Sequence, residues 1–357
     1  MRRWVYLTVV FLLGFWSQGT AQEGAGQSGE VVFKEIIISS EPLEPETEKV
    51  GKEVLDFGTY VNIGEVLDAL PGVSVVRRGA SATEPVIRGL GWERVQTQVG
   101  PVPVYGGCPS RMDPPVTYLL PDSAQDVTVV KGVPSVTMGP GGTGGRIMVS
   151  TDFQRDPHAP PEVRGWLSST YNGARKGYLG GIGTKGGNEW VDYYAVFNGL
   201  SYGDYKSADG TDVPASQKEY GGAISLGFRP AENHRWWHGL IGVRDEGKEF
   251  PAVPMDSVHT TTWIYHTGYR MDFPGNTLES IEFTGGFSLL DHLMDNSHKP
   301  NRWMMKGSAS TDADSFAGRA KISARDLQPI AQAGAGPVLF SDGDPETPAW
   351  ARNLLAA

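Results

Sequence analysis

One cysteine, Cys108, stands four residues before a methionine, Met112, in the run Gly106-Gly107-Cys108-Pro109-Ser110-Arg111-Met112-Asp113-Pro114. A thiolate and a thioether are soft donors, and such sulfur pairs select Cu(I) over hard cations. Positions i and i+4 share a face when a segment makes a helical turn, so the two sulfurs can meet at one point. The same two residues also read as a small buried hydrophobe and an adaptable gap filler.

The N-terminus sets the compartment. Met1-Arg2-Arg3 is a basic start, followed by an apolar run from Trp4 to Trp16 and then Ser17-Gln18-Gly19-Thr20-Ala21. This is the order of a secretory signal peptide, with cleavage expected after Ala21. The run is too short for a spanning helix, and no later segment is long and apolar enough for one. A lone cysteine cannot pair within its own chain. In an oxidising compartment such a thiol is a liability unless it is buried or bound to something.

Composition narrows the class. The net charge of −10 argues against nucleic acid as a partner, since surfaces that bind phosphate backbones are basic. Only 39% of residues are apolar, yet there are 47 Gly, 10 Trp and 13 Tyr. Glycine-rich, aromatic-rich and moderately polar chains suit an outer-membrane β-barrel, although a soluble β-sandwich can share that composition.

The elements that must position the sulfurs follow from patterning. Residues 22–50 are rich in Glu, Gly, Ser and Pro and read as a flexible arm. Within them Val31-Val32-Phe33-Lys34-Glu35-Ile36-Ile37-Ile38-Ser39 is an apolar island, either a strand added to a partner's sheet edge or the first strand of the next domain. Residues 51–152 read as a compact mixed α/β domain. Asn62 caps a helix whose apolar face is Ile63, Val66, Leu67 and Leu70, and Pro71-Gly72 stops it. Short strands are expected at 73–76, 85–88, 95–99, 126–131 and 146–150. The loop Gly139-Pro140-Gly141-Gly142-Thr143-Gly144-Gly145 is glycine-rich but lacks a following Lys-Ser/Thr and leads into a strand, so it is not read as a phosphate cradle.

Residues 153–323 turn to period-2 alternation. Antiparallel hairpin strands are expected at 163–171, 190–202, 219–228, 235–244, 261–271, 278–290, 303–311 and 316–322, with a strand count near nine. Trp190, Tyr193, Trp236, Trp237, Trp263, Tyr265 and Trp303 are placed near strand ends, as interface belts are. Residues 324–357 show no alternation.

Residues 51–152 resemble the plug domain of TonB-dependent outer-membrane receptors. The matching elements are the runs Ile63–Val73, Pro85–Leu90, Val127–Gly132 and Gly141–Ile147, in the family's order and spacing. The resemblance implies a plug seated inside a 22-stranded transmembrane β-barrel in the outer membrane of a Gram-negative bacterium. Glu35-Ile36-Ile37-Ile38-Ser39 resembles the TonB box, which implies that these residues pair with TonB, working with ExbB and ExbD, in the periplasm. Outer-membrane lipid and the barrel assembly machinery are the other implied partners.

Within that family, the Cys108 run resembles the copper receptors of the OprC/NosA type, which combine a plug Cys-x-x-x-Met with a barrel His-x-Met. Asp291-His292-Leu293-Met294-Asp295 supplies the second motif, and two residues apart on a strand point to one side. The implied metal site is Cys108, Met112, His292 and Met294. Its implied cargo is a copper ion, Cu(I) favoured, with no catalytic cofactor. A receptor of the same family for a siderophore, cobalamin or other chelate, and a periplasmic copper-binding protein, are the competing readings.

Other residues read more plainly. Met255, Met271, Met304 and Met305 are taken as packing or lipid-facing residues, and His298 as a loop residue. Arg88 and Arg111 are expected to anchor the plug to barrel carboxylates. No nucleophile elbow, His-Glu-x-x-His helix or spaced catalytic dyad is present, so no enzyme is expected. The residues after the plug are too few for a 22-stranded barrel. The chain therefore reads as an N-terminal fragment whose tail arises from a frameshift or a misjudged gene end. As written, it is expected neither to insert nor to transport.

Overall fold

The computed structural model describes residues 46–57, 60–79, 81–108, 110–139, 141–304 and 306–324. The stretch expected to be a signal peptide, the TonB-box-like segment 35–39 and the tail from 325 onward lie outside the described residues.

The N-terminal domain begins with β1 (Glu46–Gly51), α1 (Lys52–Phe57) and α2 (Ile63–Leu67). Asn62 caps α2 by accepting from the Glu65 amide, while Glu65 reaches back to the Val61 amide at 2.8 Å. That reciprocal arrangement satisfies donors that a helix start leaves free. A hairpin follows, β2 (Val73–Arg77) with β3 (Thr83–Ile87), and then β4 (Val95–Val99), β5 (Val102–Val104), β6 (Asp126–Lys131) and β7 (Gly145–Ser150). Five of these strands form a mixed sheet in the order β1-β6-β7-β4-β5, with β4 and β7 parallel and the other pairs antiparallel. Ile63, Leu67, Ile87, Val99, Val116, Leu119, Val127, Val129 and Ile147 fill its core.

Two expectations are revised here. The stretch 22–50 was expected as an arm, but its last residues form β1, an edge strand of the sheet. The charges that disguise it as a linker are partnered: buried Lys131 on β6 holds Glu46 at 2.9 Å and also Glu48. The helix expected to run to Leu70 ends at Leu67, ahead of a turn in which Gly72 takes φ 69°. The glycine-rich loop before β7 does lead into a strand. Its backbone carbonyls at Gly139 and Gly141 accept from Arg146 at 2.8 and 3.0 Å, so a cation of the domain itself occupies the loop's inner side.

The rest of the described chain is an antiparallel wall. Its strands are β8 (Glu162–Asn172), β9 (Gly177–Gly187), β10 (Val191–Tyr202), the short pair β11 (Tyr205–Lys206) and β12 (Asp212–Val213), β13 (Gln217–Ala231), β14 (His234–Lys248), β15 (Asp256–Asp272), β16 (Leu278–Asp295), β17 (Ser308–Asp312) and β18 (Ser315–Ala324). All but β11 and β12 join one nine-stranded sheet, and β17 and β18 follow one another along the same edge of β16. Alternation is strict where the wall faces the N-terminal domain. On β10, Asp192, Tyr194, Val196, Asn198, Leu200 and Tyr202 are buried, while Phe197 between them is exposed.

The strand expected from Trp303 to Thr311 is shorter, because Pro300–Trp303 forms a 3-10 turn and pairing starts only at Ser308. Trp263 and Tyr265 sit mid-strand rather than near an end, since β15 starts at Asp256.

The N-terminal domain lies against this wall. The Tyr194 hydroxyl donates to the Asp122 carbonyl, the Phe153 amide to Ser225 Oγ at 3.0 Å, and Ser315 Oγ to the Pro103 carbonyl at 2.5 Å. Thr151 Oγ1 and His266 Nε2 are 2.7 Å apart at the junction of the two parts.

Candidate metal centre

The loop between β5 and the 3-10 turn Pro115–Tyr118 is folded by one carboxylate. Asp113 accepts from the amides of Gly107 at 2.8 Å and Cys108 at 2.9 Å, and from the Tyr118 hydroxyl. Burial, then the Asp113 charge, hold Tyr118 far above the usual phenol range, so it remains a donor. The Arg111 amide donates to the Cys108 carbonyl at 2.9 Å. Arg111 itself takes φ 57°.

The expected helical turn between Cys108 and Met112 is therefore replaced by a reversing turn with a left-handed residue, which a right-handed helix cannot contain. It still returns Met112 to Cys108. The Arg111 side chain leaves in the other direction and forks onto buried Glu84, with Nε 2.9 Å from Oε2. Arg88 pairs with Glu46. Both arginines thus anchor elements within the N-terminal domain, not the domain to the wall as expected. Arg88, just after β3, reaches Glu46 on β1, and Arg111, in the loop after β5, reaches Glu84 on β3.

From the wall, β16 presents Leu290, His292 and Met294 inward and Leu289 and Asp291 outward. Cys108, Met112 and Met294 pack into one buried cluster with Ala82 and Phe250, flanked by Met255, Val253 and Ala309. His292 reaches the same loop through Gly107. A Cβ on that glycine would stand 3.1 Å from His292 Cβ and 3.0 Å from Leu290 Cδ2, so only a bare backbone lets loop and strand approach this closely. His292 Nδ1 lies 2.8 Å from Thr260 Oγ1, whereas its Nε2 is buried without a hydrogen-bond partner.

The loop above is tied down by Asp256, which accepts from the Phe250 amide at 2.8 Å and from Lys299 at 2.7 Å. All four residues proposed from the sequence are therefore 5% exposed or less and gathered where the N-terminal domain meets the wall.

This set holds a thiol, two thioethers and an imidazole, a donor set for a soft ion. Among the described residues no group of three or more His, Cys, Asp or Glu is placed to hold a metal, which leaves sulfur as the main donor here. The nearby carboxylate, Asp113, is already used by the loop's own amides. Burial pushes the Cys108 thiol above its ordinary range, against the Met112 amide, which favours the thiolate; the Asp113 charge acts with burial.

Sequence reasoning passed over Ala82, Phe250 and Thr260, none of which carries a ligand signature. It set Met255 aside as packing, and the structure places it beside the cluster. Met304 is exposed, Met271 lies near the far end of β15, His298 is in an exposed loop, and Met305 lies outside the described residues.

Residues 45–146 match the family model of the TonB-dependent receptor plug domain. This segment is a TonB-dependent receptor plug. The wall that follows it has the fold of the barrels in which such plugs sit. Among solved structures, the copper transporter OprC superposes with a TM-score of 0.69 at 24% identity, covering 79% of this chain and 44% of that one. The FrpB iron transporter from Neisseria meningitidis gives 0.63 at 16% identity, covering 80% and 47%. The siderophore receptor PirA from Acinetobacter baumannii gives 0.57 at 14%, covering 77% and 45%. At these identities the likeness is one of fold. The chain spans under half the length of each. No curated protein sequence matches it.

Proposed function

We propose that this chain belongs to a TonB-dependent outer-membrane receptor that imports copper. One observation carries the reading: a thiol, two thioethers and an imidazole with an unpaired Nε2 lie buried together where plug meets barrel. A siderophore receptor has no use for such a set, and a periplasmic copper carrier has no use for the long antiparallel wall. The solved structure with the highest TM-score of the three is a copper transporter, which supports the same choice.

The geometry suggests how such a site would work. Cys108 and Met112 belong to the plug, His292 and Met294 to the barrel, so an ion bound by all four bridges two bodies. Cys108 is protonated at rest and must lose its proton to bind, which makes loading depend on a metal that competes well for thiolate. Cu(I) does so. Tension passed by TonB, ExbB and ExbD through Glu35, Ile36, Ile37, Ile38 and Ser39 would move the plug loop away from β16. The ion then loses two of its four donors at once and is freed toward the periplasm.

The test is metal content by mass spectrometry of the folded chain in detergent after Cu(I) loading. About one copper per chain, lost in Cys108→Ala and in Met294→Ala, is expected. Copper absent from the unmodified chain, or retained in both variants, would refute the reading and leave a receptor for another substrate.

A further inference from the structure

His292 can bind an ion through Nε2 only as the tautomer that carries its proton on Nδ1. The structure contains a means of imposing that tautomer. Lys248 on β14 donates to Asp245 Oδ2 at 3.2 Å and to Glu219 Oε2 at 3.4 Å. The other oxygen of Asp245 accepts from Ser257 Oγ at 3.3 Å. Ser257 Oγ stands 3.3 Å from Thr260 Oγ1, which stands 2.8 Å from His292 Nδ1. All of these side chains are buried.

Each step fixes the next. A carboxylate oxygen only accepts, so Ser257 spends its proton on Asp245 and can only accept from Thr260. Thr260 thereby spends its own proton and can only accept from His292. The imidazole must then donate from Nδ1, and its lone pair is left at Nε2, the buried atom without a partner. The local backbone makes the chain possible. Residues three apart on a regular strand face opposite ways. Here a register shift between Ser257 and His259 opposite β16, and Gly247 at φ 58° on β14, turn both Ser257 and Thr260, and both Asp245 and Lys248, inward.

We infer that Thr260, Ser257 and Asp245 are positioning residues that hold His292 as the Nδ1–H tautomer, so that Nε2 faces the site ready to bind a soft ion. Resting on the copper reading above, the inference adds three residues outside the proposed ligand set.

The test uses the full chain in detergent micelles with 15N-labelled histidine, the His292 signals being assigned by comparison with His292→Gln. In the unmodified protein, Nδ1 protonated and Nε2 bare is expected. Thr260→Val, which keeps the shape and removes the hydroxyl, should give a tautomer mixture and weaken Cu(I) in a competition titration by about ten- to a hundredfold. Thr260→Ser should restore both readouts, and Ser257→Ala should show the same loss at reduced size. An Nε2–H tautomer in the unmodified protein overturns the inference, as does Thr260→Val binding copper at full strength. Copper absent from the unmodified protein despite the expected tautomer overturns the copper reading itself, and the positioning role with it.

Discussion

At the scale of residues, the buried thiol and the buried ion pair behave in opposite ways. Cys108 is favoured as the neutral thiol, so its reaction with iodoacetamide should be slow in the folded chain. The rate should climb only at a pH above that needed for the unfolded chain, whose thiol titrates near about 8.5. Because the folded value is the higher one, the thiol's contribution to stability is fully present below the unfolded value and is lost as the pH rises through the folded value. Equal alkylation rates for folded and unfolded chain at pH 8 would contradict this burial.

Arg111 and Glu84 make a two-point pair with Glu84 only 2% exposed. Arg111→Met should cost about 3–5 kcal/mol in denaturant unfolding by stranding that carboxylate, and Glu84→Gln added to it should recover most of the loss. A cost of about 1 kcal/mol or less would mean that the pair behaves like an exposed one. Cys108 and Met112 stood out as candidates because sulfur is rare and their spacing is short, whereas His292 and Met294 were implied by the resemblance to copper receptors. Thr260 did not stand out, because a threonine on a strand carries no sign of what lies across the sheet.

At the scale of elements, the turn through residues 106–113 and strand β16 depend on each other's closeness. Gly107→Val puts a branched side chain into the space held by Leu290 Cδ2 and His292 Cβ. It should lower copper affinity while leaving the plug sheet intact, as read by metal competition alongside circular dichroism. Unchanged affinity would show that the loop has room to retreat.

Legibility at this scale followed side-chain contrast. Strand β6 was read at its observed limits because apolar and polar residues alternate along Asp126–Lys131. Strand β9 was missed, since six of its eleven residues are glycine and give no alternation to read. It forms because small residues make room for neighbours: a Cβ at Gly183 would collide with the Trp166 ring, and one at Gly181 with the Asn198 side chain. Strand β1 was hidden for a different reason, its Glu and Lys residues resembling a linker until Lys131 is seen across from them. The expected limit of β16 stopped at Leu290, although His292 and Met294 were read as two apart on a strand, and β16 in fact runs to Asp295.

At the scale of the whole molecule, the proposed site takes residues from both plug and wall, and binding there should tie them together. Copper at about a hundred times its dissociation constant should stabilise the folded chain by about 2.7 kcal/mol. The rise in melting temperature should vanish in Cys108→Ala, on the plug side, and equally in His292→Ala, on the wall side. A rise that survives either change would place the ion on one body alone. The division into plug and wall was readable from the change of periodicity near residue 152. That the Cys108 loop meets the His292 strand was implied only by the family resemblance, since contact across 180 or so residues of chain is set by packing and not by local pattern.

Strand β1 has one further consequence, a mechanical one. It lies at the edge of the plug sheet and is held on one side by the six rungs it makes with β6, of which Glu46 opposite Lys131 is the first. A load arriving through the chain ahead of Glu46 meets the sheet at that rung and at the Lys131 ion pairs before any other. Such a load, directed away from the sheet, peels β1 one rung at a time instead of shearing all six together. The plug is thus built to yield gradually from its N-terminal edge, while the strands that carry its core stay joined.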